Sequence, residues 1–297
     1  MLQILVDTLL RTSDLALVAL GLSMVYGLAR FPNIAHVQYA MMGAFIAYLF
    51  SWLGLPLLLA VLLAALVTGL FTLVVHHFIF RRLLRSGPAI TMIGSLALSM
   101  LIVAVALALA GSYPKIFPRE RSAPIFLGDA ILSWGQVTTM ATTASIIVLF
   151  LLLLFYTRVG RAMRALSSNR DLAYASGLNA DRITSLVDFS SGALAGLGGS
   201  MLALSIGAHI NLGHDLLLPT FAAAILGGLG NPIGAIGGAL LIAFAETLVT
   251  NINFGFLFDK PLVFMPASYI NAASFFILLV ALIFRPYGLF DREVRRV

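Results

Sequence analysis

The sequence predicts an all-helical, polytopic membrane protein. Hydrophobic residues make up 61% of the chain and charged residues 10%, against roughly 25% charged in soluble domains. A soluble fold could not find enough polar surface to cover that much apolar chain. The apolar residues also fall into runs of about 20, the length a helix needs to cross the hydrocarbon, parted by polar stretches that hold most of the arginines. The runs add up to roughly eight to ten helices, some of them discontinuous, in a single domain over residues 1–297. The net charge of +6 sits in these loops and is no nucleic-acid signature. With no cysteine, disulfide and thiolate chemistry are excluded. The N-terminus lacks a basic region and a small-residue cleavage site, so its first apolar run is expected to be retained.

Residues 2–10 are apolar but short, and Arg11 and Asp14 follow them. They form either an interfacial turn or the start of a tilted first span. Residues 15–29 are the first full segment. It meets Arg30-Phe31-Pro32-Asn33, where Pro32 removes a backbone donor and biases Phe31 away from helix. Residues 34–52 resume the apolar pattern, Gly54-Leu55-Pro56 turns the chain, and residues 57–80 cross back until Arg81, Arg82 and Arg85 stop them. Residues 89–111 follow. Residues 112–133 are a polar connection with Pro114, Pro118 and Pro124, and residues 134–156 return to a polar island at 157–185. Residues 186–207 leave again, carrying Gly192 and Gly196 as a small-xxx-small pair that lets a helix approach closely, within the chain or from another subunit. Residues 216–229 and 233–249, parted by Gly230-Asn231-Pro232, are each short for a crossing. They are either two tilted spans or a re-entrant pair buried in protein. A polar connection at 251–267 leads to the last span, 269–284, and a tail with Arg285, Arg292, Arg295 and Arg296.

The island holds Arg158, Arg161, Arg164, Arg170 and Arg182, the densest basic cluster of the chain. Within it a short helix is expected at 172–176, with Asp171 as N-cap and Gly177 at the left-handed C′ position. Placing the island, Arg30, the 81–85 stretch and the tail on one side leaves Arg11, Lys115, Arg119, Arg121 and Lys260 on the other. The positive-inside rule makes the first side cytoplasmic and the N-terminus external. Trp52, Trp134 and Tyr269 then fall at the outer interface, with Tyr156 and Tyr287 at the inner one, as an aromatic belt requires.

No G-x-x-x-x-G-K-[ST] motif is present, so ATP is not held by a P-loop of this chain. His76 and His77 are adjacent and face different sides of a helix. His209 and His214 lie in a polar turn beside Asp215 and are read as solvated, so neither a metal nor another cofactor is expected. No nucleophile–base constellation points to an enzyme. Polar residues in apolar surroundings are functional candidates because burying them is expensive. Asn33, His36, Gln38, Asn231 and Glu246 are the candidate translocation residues. The alternative is structural: His36 and Gln38 satisfy backbone freed at Pro32, and Asp188 pairs with an island arginine. Glu246, far from any basic residue of its own segment, either anchors helices or faces the solute.

Asp171-Leu172-Ala173 followed by Gly177 resembles the E-A-A-x-x-x-G loop of ABC importer permeases. Gly160-Arg161-Ala162-Met163-Arg164-Ala165, the 224–246 stretch and Phe284-Arg285-Pro286-Tyr287-Gly288-Leu289-Phe290 are similar to the branched-chain amino acid permeases in particular. Residues 21–27 and Asn33-Ile34-Ala35-His36 resemble the shorter of that system's two permease subunits. The chain departs from that pattern at Val37, Gln38 and 187–190. The resemblance implies import by alternating access, with ATP hydrolysed by a separate partner. It also implies a coupling site at Arg161, Arg164, Asp171, Leu172, Ala173 and Gly177. The implied partners are a second homologous permease, two cytoplasmic ATPase subunits and an extracytoplasmic solute-binding protein, in lipid of a bacterial inner membrane. An importer of urea, short amides or sugars is the nearer alternative, and a secondary carrier or channel without an ATPase the farther one.

An internal repeat is also visible: Gly27…Pro32…Ala35 aligns with Gly227…Pro232…Ala235, each an apolar run broken and resumed, a pattern that marks transport sites. The arginine distribution yields a topology test. Single cysteines at Asn169 and Ser122, probed in intact cells with an impermeant thiol reagent, should label only at Ser122; labelling at Asn169 inverts the arrangement.

Overall fold

In hydrocarbon each backbone N–H and C=O must be paired within its own segment, so long runs free of proline and charge propagate as helices. The computed structural model describes residues 2–118, 124–128, 130–253, 264–266, 269–284 and 288–290. It contains α1 (Leu2–Ala29), α2 (His36–Trp52), α3 (Leu57–Val75), α4 (Arg81–Leu83), α5 (Pro88–Ala110), α6 (Trp134–Tyr156), α7 (Arg158–Ser168), α8 (Arg170–Ala175), α9 (Ala180–Ile206), α10 (Leu212–Gly227), α11 (Pro232–Asn251) and α12 (Ile270–Phe284). Among the described residues six helical stretches are long and apolar enough to cross a membrane. Helices α2, α10 and α12, at 17, 16 and 15 residues, are shorter. The chain is a multi-pass membrane protein.

Residues 2–10 are the first turns of α1, a single helix of 28 residues. Arg11 does not end it, because its charge meets Glu246. At Arg30 the backbone turns left-handed (φ 55°), unusual for a side chain with a Cβ; Arg30 Nη2 donates to the Ser167 carbonyl at 2.9 Å. Residues 30–35 then run as non-helical backbone through the interior, with Phe31, Asn33 and Ala35 buried. The Ile34 amide donates to Ser95 Oγ at 3.1 Å. Irregular backbone at this depth survives only where protein covers it. Helix α3 continues past residue 80 through a π-helical turn (His76–Phe80), α4 and a 3₁₀ turn, making one stretch to Ser86.

The connection at 112–133 adds a small departure from the all-helical expectation. Strands β1 (Ile125–Leu127) and β2 (Ala130–Leu132) form an antiparallel hairpin, tied to α1 where the Ile131 amide donates to Gln3 Oε1 at 3.0 Å. Residues 119–123, most of 251–267, and the tail outside 288–290 lie outside the described residues, and with them Arg119, Arg121, Ser122, Lys260, Tyr287 and the tail arginines.

Helix α9 is the hub, packing on α1, α2 and α3. Its glycines put backbone against backbone. Gly196 meets Gly43 of α2, Gly199 meets the Ala40 carbonyl, Gly192 meets Thr72 of α3 and Gly198 meets Val18 of α1. The Gly192/Gly196 face is therefore spent inside the subunit. Helices α10 and α11 are two antiparallel helices of unequal length, in backbone contact at Gly227–Gly234 and Ala223–Gly238. In contrast α5 and α6 lie at the periphery: 22% of their apolar windows is buried, against 72% for α1.

Both breaks of the proposed repeat exist, and Gly27 touches Gly230 across them. The likeness ends there. Helices α10 and α11 fold back on one another, whereas α1 and α2 part and admit α9 between them. The arginine-rich stretches do gather at one end, where Arg30 meets Ser167, Ser167 Oγ donates to the Gly27 carbonyl at 3.2 Å, and Arg81 meets Asp181 at 3.0 Å. The opposite end holds the Lys115–Ala208 backbone bridge and the Gln3–Ile131 contact.

Gly199 has the Ala40 main chain against it, which cannot swing aside as a side chain can. Gly199→Leu is expected to lose at least the 1–3 kcal/mol typical of overpacking, while Ala141→Leu on the outward face of α6 is near neutral. Thermal unfolding with gel filtration checks this; equal melting of the two variants contradicts the packing account.

Candidate functional site

The island is built as three capped helices rather than a loop. Thr157 breaks α6 from α7: its Oγ1 accepts from the Gly160 amide at 3.1 Å and donates to the Leu153 carbonyl at 2.6 Å. Gly160 allows the sharp turn, since a Cβ there would strike the carbonyls of Leu153 and Leu154. Helix α7 buries Gly160, Met163 and Leu166 and turns Arg161 and Arg164 outward, the amphipathic pattern of a helix lying in a membrane interface. The Arg164 guanidinium stacks over the Phe155 ring at 4.6 Å.

Helix α8 runs from Arg170 to Ala175 and its N-cap is Asn169, whose Oδ1 accepts from the Leu172 amide at 3.0 Å. Asp171 is thus not the cap. It sits in the first turn, where a carboxylate still favours the helix dipole. Asn caps as well as Asp does, so the helix starts two residues earlier than expected, at the Asn169 cap. Gly177 is left-handed (φ 77°). Its amide donates to the Tyr174 carbonyl at 2.9 Å and the Leu178 amide to the Ala173 carbonyl at 3.1 Å, the two bonds of a Schellman motif. Asn179 caps α9 through the Arg182 amide at 3.1 Å. Only Ala173 of α8 is buried, while Leu172 is 63% exposed and Tyr174 49%. The six-residue helix thus presents an aliphatic and an aromatic side chain to the surface beside the arginines of α7.

The polar candidates of the membrane interior do not converge. His36 is fully buried. Its Nε2 lies 3.0 Å from the Val18 carbonyl and its Nδ1 3.3 Å from Ser191 Oγ, so the neutral ring donates from Nε2 and accepts at Nδ1. It joins α1, α2 and α9. Gln38 Nε2 faces His214 Nδ1 at 3.5 Å, and Asn33 is buried in the α1–α2 break. Asn231 caps α11 through the Gly234 amide at 3.1 Å and donates to the Phe290 carbonyl at 3.2 Å. Asp188 does not reach an island arginine: His76 Nδ1, aimed by the π-helical turn of α3, lies 2.8 Å from Asp188 Oδ2.

Glu246 is buried, and Arg11 Nε donates to its Oε2 at 2.6 Å while Ser274 Oγ donates to Oε1. The carboxylate ties α11 to α1 and α12. Its partner lies 235 residues away in the chain, which is why no local pattern exposed it. One wide opening avoids all these residues. It is a cleft of about 930 Å³ between α2, α3 and α5, walled by Met41, Phe45, Phe71, Leu98 and Ile102, with Lys115 in its lining. An apolar face that lines a cleft and one that faces lipid have the same composition, so the sequence gives no sign of it.

Glu246→Gln is expected to lower stability by about 2 kcal/mol, hydrogen bonds between charged groups being worth roughly 1.5–3 kcal/mol. The double variant Arg11→Met/Glu246→Met should recover part of that loss, because the buried carboxylate and its half-buried partner are then removed together. Thermal melting of the single and double variants decides; simple additivity of the two losses refutes the anchor.

Residues 4–284 match the family described as branched-chain amino acid transport system / permease component. The high-affinity branched-chain amino acid transport system permease protein BraD of Pseudomonas aeruginosa is 30% identical, the match covering 100% of this chain and 98% of BraD. The probable branched-chain amino acid transport permease protein LivH of Methanocaldococcus jannaschii is 28% identical, over 97% of this chain and 91% of its own. Among solved structures, PsaBC from Streptococcus pneumoniae in complex with Fab shares the fold, with a TM-score of 0.50 at 16% identity over 98% of this chain and 94% of that one.

Proposed function

The chain belongs to the branched-chain amino acid transport permease family, and on that premise we propose that it is the translocating subunit of an ATP-driven importer for branched-chain or related small amino acids. The observation that carries the reading is the exposed, doubly capped helix α8 beside the arginines of α7. A separate ATPase docks there: Arg161, Asp171, Leu172 and Tyr174 touch it, while Ala173 and Gly177 fix the helix. Helix α8 leads directly into α9, which packs on α1, α2 and α3, so a displacement of α8 reaches the centre of the bundle. Alternating access follows if the ATPase pair closes on ATP and opens on hydrolysis.

One chain offers one such helix, and two ATPase sites need two. A second permease, a longer homologue, therefore completes the complex, and the outward faces of α5 and α6 are available to it and to lipid. The island and C-terminus are cytoplasmic in this reading, and a solute-binding protein delivers solute at the opposite end. The apolar walls of the α2–α3–α5 cleft suit an aliphatic side chain better than urea or a sugar.

Uptake by the reconstituted complex should favour leucine, isoleucine and valine over urea and xylose; equal uptake of the panel removes the substrate assignment. A β-branched residue is strained at the left-handed position of Gly177. Gly177→Val should therefore cut uptake at least about tenfold with the fold and ATP hydrolysis retained. Normal uptake by well-folded Gly177→Val takes the docking role away from this loop.

A further inference from the structure

A second cavity, of about 480 Å³, lies between α1, α6, α7 and the start of α11. Met24 and Leu28 of α1, Leu154 of α6, and Met163 of α7 form its apolar wall, and Arg164 and Ser168 stand at its rim. Helix α11 begins in the same lining: Pro232 carries no N–H and the Gly234 amide is taken by Asn231, which leaves the Ile233 amide as a first-turn donor. The Arg164 guanidinium, held over Phe155 at 4.6 Å, keeps its edges open to an anion. Arg158, Arg161 and Arg170 on the surrounding surface add positive charge. Phe155 of the lining is also exposed on α6, in line with exposed Leu152 and Leu149.

A cationic rim over an apolar slot at a membrane interface selects one ligand chemistry, an anionic headgroup joined to an acyl chain. We propose that this cavity binds an anionic glycerophospholipid of the leaflet at the island end, its phosphate on Arg164 and one acyl chain between Met24, Leu28, Leu154 and Met163. Basic pockets between membrane helices hold such headgroups elsewhere by the same physics, and the planar guanidinium suits a phosphate better than a point charge does. A free phosphate would leave the apolar wall wet, and a neutral lipid would leave the arginine without a counter-charge. The lipid wedges α7 against α6 and the start of α11, so it sets the angle at which α7 delivers α8 to a docked partner.

The test uses the full-length chain in the complex with which it purifies, in nanodiscs of phosphatidylcholine with or without phosphatidylglycerol. Phosphatidylglycerol with a photoreactive acyl chain should crosslink to peptides containing Leu154 and Met163 in the wild-type protein. Native mass spectrometry after detergent exchange should find phosphatidylglycerol retained in preference to phosphatidylcholine. Arg164→Gln should lower that retention about five- to tenfold, as expected for one basic residue at a membrane surface. Leu154→Trp, which fills the slot and keeps the charge, should remove the crosslink, while Arg182→Gln on α9 should leave it. Inorganic phosphate should not displace the lipid; displacement identifies a free-anion site and overturns the proposal. Crosslinks spread evenly over the outward helix faces, a crosslink to a protein subunit in place of the lipid, or wild-type retention in both Arg164→Gln and Leu154→Trp overturns it as well.

Discussion

Everything in this molecule depends on how closely α9 can approach its neighbours. Lipid supplies no hydrophobic force to drive helices together, so association rests on dispersion contact and on polar groups that find partners between helices. Gly43 against Gly196, and Gly199 against the Ala40 carbonyl, bring main chains into contact, and only then do the remaining contacts form. Thr72 Oγ1 donates to the Asp188 carbonyl at 2.9 Å because Gly192 admits the threonine. His36 spans from α1 to α9 because both helices lie within one imidazole of it. The polar side chains lock an arrangement that the small residues permit.

The same logic explains why the buried polar residues are spread out. Each satisfies a local need: Asn231 caps α11, His36 fastens the start of α2, Asp188 holds the π-helical turn through His76, and Glu246 holds three helices at the far end. An unpaired group in hydrocarbon costs several kcal/mol, which is why each of these four side chains is held by a partner on another element or caps its own helix. Placed this way they act as fasteners, and the wide opening is lined instead by methionine, phenylalanine, leucine and isoleucine.

The island end works on different physics, because water is available there. Helices α7 and α8 there are short and, like the start of α9, held by caps, with Thr157, Asn169 and Asn179 each accepting from the third residue of the following helix. They are rigid in shape yet largely uncovered, which suits an element that hands movement from one body to another. Its arginines divide by position. Arg161 and Arg164 are exposed on α7, Arg164 with its guanidinium over the Phe155 ring, while Arg30 and Arg81 are engaged by the Ser167 carbonyl and by Asp181.

The sequence by itself determined the membrane class, most helix limits, the gathering of arginines at one end and the left-handed Gly177, because each follows from local composition: length of apolar run, position of charge, or the lack of a Cβ. It also carried the family through the 160–177, 224–246 and 284–290 stretches and residues 21–27 and 33–36. Only the structure showed that Asn169 rather than Asp171 caps α8, since both residue types are equally able caps. It also decided that Gly192 and Gly196 pack inward, that α1 and α2 part around α9, and that Glu246 meets Arg11 and Asp188 meets His76. Those partners lie far apart in the chain, and no periodicity encodes which helix will stand beside which. The physical reason is that a span's length is a property of its own residues, whereas its neighbours are chosen by shape and charge on every other helix at once.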